Sequence, residues 1–226
     1  VIANFSGYVQ AMLQEYAKNP SQNWKSKDAA LFLVTSLAAK AQTQKHGVTQ
    51  SSDLVNVTDF FTAHVAPDLQ SPNINESPVL KADAIKYVMV FRSQLPKETL
   101  GACIPHMVRF LLSESHVVHT YAACGIERLF TVKLENGKHA ITRASLESQT
   151  EGLLTNLFNA LNMPGSGENE YIMKAIMRSF YLLQDAIVPY VGILISKLTE
   201  KLIAVSKNPS KPHFNHYLFE SFCIAI

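Results

Sequence analysis

The sequence predicts an all-α fold, and three observations carry that prediction. Apolar residues recur at helical spacing over long stretches, glycine is scarce at 9 of 226 residues, and ten prolines are spread along the chain. This composition suits long helices joined by turns, and suits poorly an all-β sandwich, which needs a turn every 8–12 residues or so. The chain is 47% apolar and 17% charged, against about 25% charged in an average soluble domain, so disorder is excluded and extensive burial is expected. No charge block or Pro/Gly/Ser-rich linker divides it, and one continuous structure over residues 1–226 is expected.

The elements follow in order. Phe5 to Tyr16 reads as a helix closed by Asn19-Pro20, and Ala29 to Ala41 as the next. From Val79 to Leu95 the set Leu80, Ala84, Val88, Phe91 and Leu95 lies on one helical face, widened by Ile85 and Met89. Lys81, Asp83, Lys86, Arg92 and Ser93 form its polar remainder. So wide an apolar face implies neighbours on two sides. Val117 to Val132 and Tyr171 to Val188 have the same character, and Phe214 to Ile226 reads as a last apolar helix. Breakers lie between them at Ser71-Pro72, Ser77-Pro78, Leu95-Pro96, Pro164 to Gly167 and Asn208 to Pro212. The reading is about ten helices and no sheet.

An internal repeat turns the helices into an architecture. Pro67, Pro105 and Pro189 each open an apolar pattern, and Ser148 occupies the same place before Leu153, giving intervals of 38, 43 and 41 residues. Their mean, about 41, falls at the roughly 40–47-residue period of HEAT and armadillo units. The expected fold is therefore an α-α superhelix, a HEAT-repeat solenoid of about five helix pairs, because one pair cannot bury both faces alone. Approximate repeats are 1–53, 54–96, 97–134, 135–187 and 188–226. The first is long, with 60 residues from Gly7 to Pro67, which places a polar insertion at 42–53. Apolar surface is expected at Phe5 to Tyr16 and Phe214 to Ile226, with self-association through those ends. The chain lacks an initiator Met and a signal-like start, so it reads as a piece of something longer.

Chemistry is sparse. A formal charge of +2 excludes the basic footprint of a dedicated nucleic-acid binder. The longest apolar stretch, Ala186 to Ile195, is interrupted by Pro189 and Gly192 and falls short of the roughly 20 residues that span a bilayer. Cys103, Cys124 and Cys223 read as buried free thiols. His116 with His119, and His213 with His216, share an i,i+3 spacing but lack the further ligands of a four-coordinate zinc site, so they read as surface or interface histidines. Cys124 has no evident orienting group for a base, and Gly165-Ser166-Gly167 lacks the lysine of a phosphate loop and reads as an interhelical loop. No cofactor, metal or catalytic residue is expected. The candidate contacts are instead cations on the second helix of each repeat, where a superhelix holds its partners: Lys86, Arg92, Arg128, Lys174 and Arg178. The polar insertion Gln42 to Gln50 is a second candidate, because so long a loop in a compact repeat is usually functional.

Four segments carry a resemblance: MLQEYAKNPS at 12–21, KAQTQKHG at 40–47, ENEYIMKAIMRSF at 168–180 and AVSKNPSKPHFNHY at 204–217. With them the chain resembles, over its whole length, the middle of the cellular apoptosis susceptibility exportins of the importin-β (karyopherin) family. The resemblance implies a non-catalytic segment of a nuclear export receptor that binds importin-α cargo together with Ran-GTP, and that shuttles between nucleus and cytoplasm. It implies a Ran-contacting, hinge-proximal role for the insertion, carried here by Lys45, His46, Thr49 and Gln50. Two rivals stand beside it. A helical enzyme would need a pocket with titratable groups of displaced pKa, and a general HEAT scaffold of phosphatase or coat type shares the periodicity but not the four segments.

Overall fold

The computed structural model describes residues 2–37, 39–43, 49–51 and 55–226, with side chains from Asn4 to Ser36 and from Val55 onward. The chain forms two compact units, Val1–Leu100 and Gly101–Ile226.

In the first unit, α1 (Ile2–Lys18) and α2 (Trp24–Leu37) pack together across the Asn19-Pro20 turn. Val57–Phe60 (α3), a π-helical turn at Phe61–Val65 and Ala66–Gln70 (α4) run on as one bent rod, which leads to α5 (Pro78–Phe91). Asn56 caps α3 by accepting the N–H groups of Thr58 and Asp59 at 3.1 Å. α2 lies on α5, and α4 also packs there. The wide stripe on α5 is wholly used: Leu80, Ala84, Ile85, Val88 and Phe91 are buried. Tyr87 joins them, its hydroxyl donating to the Val57 carbonyl at 2.9 Å and its ring stacked 5.6 Å from Phe60. Lys81, expected among the exposed residues, is buried and donates to the Glu76 carbonyl. Its stem runs with the core while its ammonium finds a backbone acceptor.

The second helix ends earlier than its apolar spacing suggests. α2 stops at Leu37, and two antiparallel strands follow, β1 (Ala39–Thr43) and β2 (Thr49–Ser51), pairing Ala39 with Ser51 and Thr43 with Thr49. A small sheet thus stands where none was expected. Gln42, Thr43, Thr49 and Gln50 offer no apolar stripe to hold a helix against a neighbour, and strand pairing satisfies the backbone without one.

In the second unit, α6 (Lys97–Phe110), which carries the boundary, is followed by α7 (His116–Phe130), a short α8 (Arg143–Leu146), α9 (Thr150–Leu161), α10 (Glu170–Leu183), α11 (Val191–Ser206) and α12 (Pro212–Ala225). α10 is the central element, packed on α7, α9 and α12, and it buries Ile172, Met173, Ile176, Phe180 and Leu183. Asn169 fixes its start twice, capping the N–H groups of Tyr171 and Ile172 and donating to Thr120 Oγ1 of α7 at 2.8 Å. Between α7 and α8 the chain turns at Asn136-Gly137, where Gly137 has a φ of 76°, a conformation that favours glycine. Pro105 does not open a helix as the repeat register expected. It sits inside α6, where it forgoes the bond to the Gly101 carbonyl, and Pro189 lies in the 3-10 stretch Gln184–Tyr190.

Taken through that stretch, 170–206 is a 37-residue run long and apolar enough, by length and composition, to cross a membrane, well beyond the ten-residue stretch read from sequence. Two features interrupt it. α10 already spends its apolar face on α7, α9 and α12, and Gln184 breaks the run with a φ of 48°, rare for a residue other than glycine. At the candidate apolar ends, Phe5 and Val9 of α1 and Phe214 and Leu218 of α12 are buried, while Tyr8, Phe219 and Ile226 are exposed. Ile193 and Ile203 of α11 are exposed as well.

His119 corrects the surface reading of the histidines. It is 1% exposed, with Nδ1 at 2.9 Å from the Ser113 carbonyl and Nε2 at 2.7 Å from the hydroxyl of Ser166, itself enclosed. A carbonyl only accepts, so Nδ1 carries the hydrogen and Nε2 accepts from Ser166. The Pro164 to Gly167 loop is thereby tied to α7 rather than free. Burial, with the nearby His116, lowers the His119 pKa below its ordinary value. A folded-state pKa below the unfolded one means stability present above the unfolded value and lost as pH falls through and below it. We expect the thermal stability of the second unit to decline from about pH 7 to pH 5, and His119→Gln to flatten that decline while lowering stability at pH 7.5; an unchanged slope in the variant would remove His119 from the account.

Candidate partner-binding face

Each predicted cation has a definite place. Lys86, half-buried on α5, holds its ammonium 5.6 Å from the ring centroid of Phe32 on α2, and that ring is 56% exposed. An exposed aromatic under a cation is the composition of a contact hot spot. Arg92 is turned inward instead: Nη1 donates to the Met89 carbonyl at 2.6 Å, closing the end of α5. Thr49 and Gln50 lie in β2, and their side chains, like all of Lys45 and His46, lie outside the described residues.

The second unit gathers the other three. Arg128 lies on α7, and Lys174 and Arg178 are one turn apart on α10. Between them stands Glu127 of α7, almost enclosed, with Oε1 at 3.5 Å from Lys174 Nζ and 3.7 Å from Arg178 Nε. The longer contact exceeds hydrogen-bond length and acts through charge. One carboxylate therefore faces two cations, and Arg128 beside it is exposed. Lys174 also lies 5.8 Å from the Tyr217 ring of α12. Cys124, Glu127, Arg128, Glu170, Tyr171, Lys174 and Tyr217 line a cavity of about 120 Å³ here, so a second carboxylate stands beside the cations, and Tyr171 is half exposed.

Glu127, Tyr171, Tyr217 and Phe32 were not singled out in the sequence, because nothing local marks a residue that matters through a helix forty or more positions away. The i,i+4 pair Lys174 and Arg178 was the available signal, since two like charges on one face call for a carboxylate from a neighbour. The thiols of the second unit's interior are not activated. Burial pushes the Cys124 thiol up to about 11, against the milder opposing pull of Arg128, and the Cys103 thiol up to about 12, so both stay protonated at neutral pH. Cys223, expected to be buried, is exposed on α12. Among the described residues, no group of three or more His, Cys, Asp or Glu side chains is placed to hold a metal ion.

Within each unit paired helices stack through their second members, α2 on α5 and α10 on α7 and α12, which is the arrangement of a helical repeat scaffold. Comparison with known proteins agrees. The Cse1 family model matches residues 1–126, and the model described as "CAS/CSE protein, C-terminus" matches residues 127–226; the chain belongs to the Cse1 family. It is 66% identical over 226 residues to Exportin-2 of Oreochromis niloticus, covering all of this chain and 23% of that protein. It is 65% identical over 222 residues to Exportin-2 of Homo sapiens, covering 98% of this chain and again 23% of the relative. Among solved structures it superposes on the exportin Cse1 in its cargo-free, cytoplasmic state, with a TM-score of 0.79 and 36% identity over 97% of this chain and 22% of that one. The all-α, HEAT-repeat class expected from the sequence is thus the class of the fold, with the small β1/β2 pair added to it.

Proposed function

We propose that the chain is a segment of a nuclear export receptor that binds importin-α together with Ran-GTP and returns importin-α from nucleus to cytoplasm. The segment spans 23% of its curated relatives, and it contributes a scaffold and contact surface without catalysis. Its helices form one solenoid fragment with the five repeats 1–53, 54–96, 97–134, 135–187 and 188–226. The observation that carries the contact role is the cluster of Arg128, Lys174 and Arg178 beside Glu127, where Glu170, Tyr171 and Tyr217 line the same cavity. An excess of cations beside half-exposed tyrosines suits an acidic protein surface, where arginine and tyrosine supply most of the affinity. Lys86 over Phe32 offers a smaller contact of the same kind. The β1/β2 segment with Lys45, His46, Thr49 and Gln50 is the reading for Ran contact, supported by its polar composition within a compact repeat.

The test is capture of importin-α and GTP-loaded Ran, together and separately, by the full-length receptor. Arg128→Glu is expected to weaken importin-α capture about tenfold, the equivalent of about 1.4 kcal/mol, with the melting temperature unchanged because Arg128 is exposed. Shortening 42–50 is expected to weaken Ran capture. Full capture by both variants would detach function from these surfaces, and no capture by the unaltered receptor in any nucleotide state would leave only a scaffold.

A further inference from the structure

In the second unit, the link between α10 and α11 is strained and lightly held. Gln184, its first residue, has a φ of 48° and a ψ of −126°, the geometry of the first central position of a type II′ turn, which glycine dominates. A side chain there crowds its own backbone. Gln184 begins the 3-10 stretch Gln184–Tyr190, a form with poorer hydrogen-bond geometry than an α-helix. Within that stretch Ile187 alone is buried.

Little lies beneath it. A cleft of about 670 Å³ separates the stretch from α8 and the turn after it, with Thr142, Arg143 and Glu147 on one wall and Asp185, Pro189 and Tyr190 on the other. An ion pair bridges the walls: Arg143 Nη1 stands 3.5 Å from Asp185 Oδ2, with side chains 48% and 89% exposed. That contact is long and solvated, so salt screens it. Lifting the stretch breaks the bridge and withdraws Ile187, but it empties no close-packed layer, because the cleft already stands between the walls. The far end of α11 is fixed separately. Lys201 donates to the Leu161 carbonyl at 3.2 Å and to Asn162 Oδ1 at 2.9 Å, at the end of α9.

We infer that residues 184–190 form a spring-loaded strap. The strained turn at Gln184 drives the strap away from α8, and the Arg143–Asp185 bridge, with the buried Ile187, holds it down. Once released, Gln184 takes an ordinary negative φ, which offsets part of what the bridge and Ile187 lose. That relief brings the two states close in energy, so the strap opens locally while α10 and the stapled end of α11 keep their places. Screening or removing the bridge shifts the balance towards the open form, and relaxing the turn shifts it back.

Hydrogen exchange of the full chain, read at the amides of the strap, tests both the bridge and the spring. Raising salt from about 0.05 M to about 0.5 M is expected to lower their protection about threefold. Asp185→Asn is expected to cause the same loss at low salt and to abolish the salt effect. Gln184→Gly is expected to raise strap protection about fivefold and to raise the melting midpoint, because glycine takes this φ without strain. Amides of α10 and of residues 201–206 should be unchanged in both variants. Gln184 and Asp185 are exposed, so neither change disturbs the core. Strap exchange indifferent to both salt and Asp185→Asn would show that no bridge holds the strap down. A midpoint no higher in Gln184→Gly, the outcome at an ordinary helical position, would show that no spring is loaded. Either result overturns the inference.

Discussion

Phe180→Ala is expected to lower stability by about 3–5 kcal/mol, the range for emptying a fully enclosed phenylalanine site. Phe180 has no exposed surface and lies on α10. That helix is packed on α7, α9 and α12, so the space left behind cannot be closed by one neighbour moving alone. Helices on three sides would have to shift together, and close-packed interiors resist this. At roughly 2–4 °C per kcal/mol for a unit of this size, the midpoint should drop by about 10 °C. Phe32→Ala is the matched control, because that ring is more than half exposed on α2 and its loss should fall within about 0.5 kcal/mol. Equal midpoints for Phe180→Ala and the unaltered chain would mean that α10 is not the central element described above.

The contrast between the two phenylalanines also measures what the sequence carries. Helical spacing identified the buried face of α5, and Leu80, Ala84, Ile85, Val88 and Phe91 are all enclosed. Spacing reports which face a residue occupies, and an apolar face is buried for a reason that can be read locally. It does not report what a polar residue meets. Lys81 was read into the polar remainder of its helix and is enclosed, as is Lys27, because each finds its partner, the Glu76 carbonyl and Asp68, only in the folded chain. His119 and Ser166 lie 47 positions apart and meet only once α7 and the loop before α10 are in place. The repeat period was inferred from intervals between prolines, but Pro105 is internal to α6 and Pro189 lies in the 3-10 stretch, so the prolines do not mark one common structural position.

At the candidate face the same division holds. Arg128, Lys174 and Arg178 were legible as cations on second helices, since periodicity and repeat phase both place them there. Glu127 was not, because a glutamate beside an arginine on α7 carries no sign that it will be enclosed between two cations of α10. Arg92 shows the converse. Its place at the end of α5 lets the guanidinium serve the helix's own carbonyls, and that use is as consistent with its sequence position as an outward one.

Lys27→Met is the second large effect, and it tests the polar seam of the first unit. Lys27 and Asp68 meet at 2.7 Å with side chains 5% and 14% exposed, and the lysine also lies 4.9 Å from the Tyr16 ring. Removing the lysine leaves a carboxylate in low dielectric without its closest counter-charge, which costs about 3–5 kcal/mol, whereas replacing both partners with apolar residues of similar size is often neutral. Lys27→Met with Asp68→Leu is therefore expected to recover most of what the single change loses. The single variant should also acquire a pH dependence. Burial already raises the Asp68 pKa, with Lys27 opposing the rise; without the lysine it climbs further, so the deficit should be larger at pH 8 than at pH 5. A single-variant cost below about 1 kcal/mol, or a double variant no better than the single, would show that solvent reaches the pair and that the seam is held by its apolar residues alone.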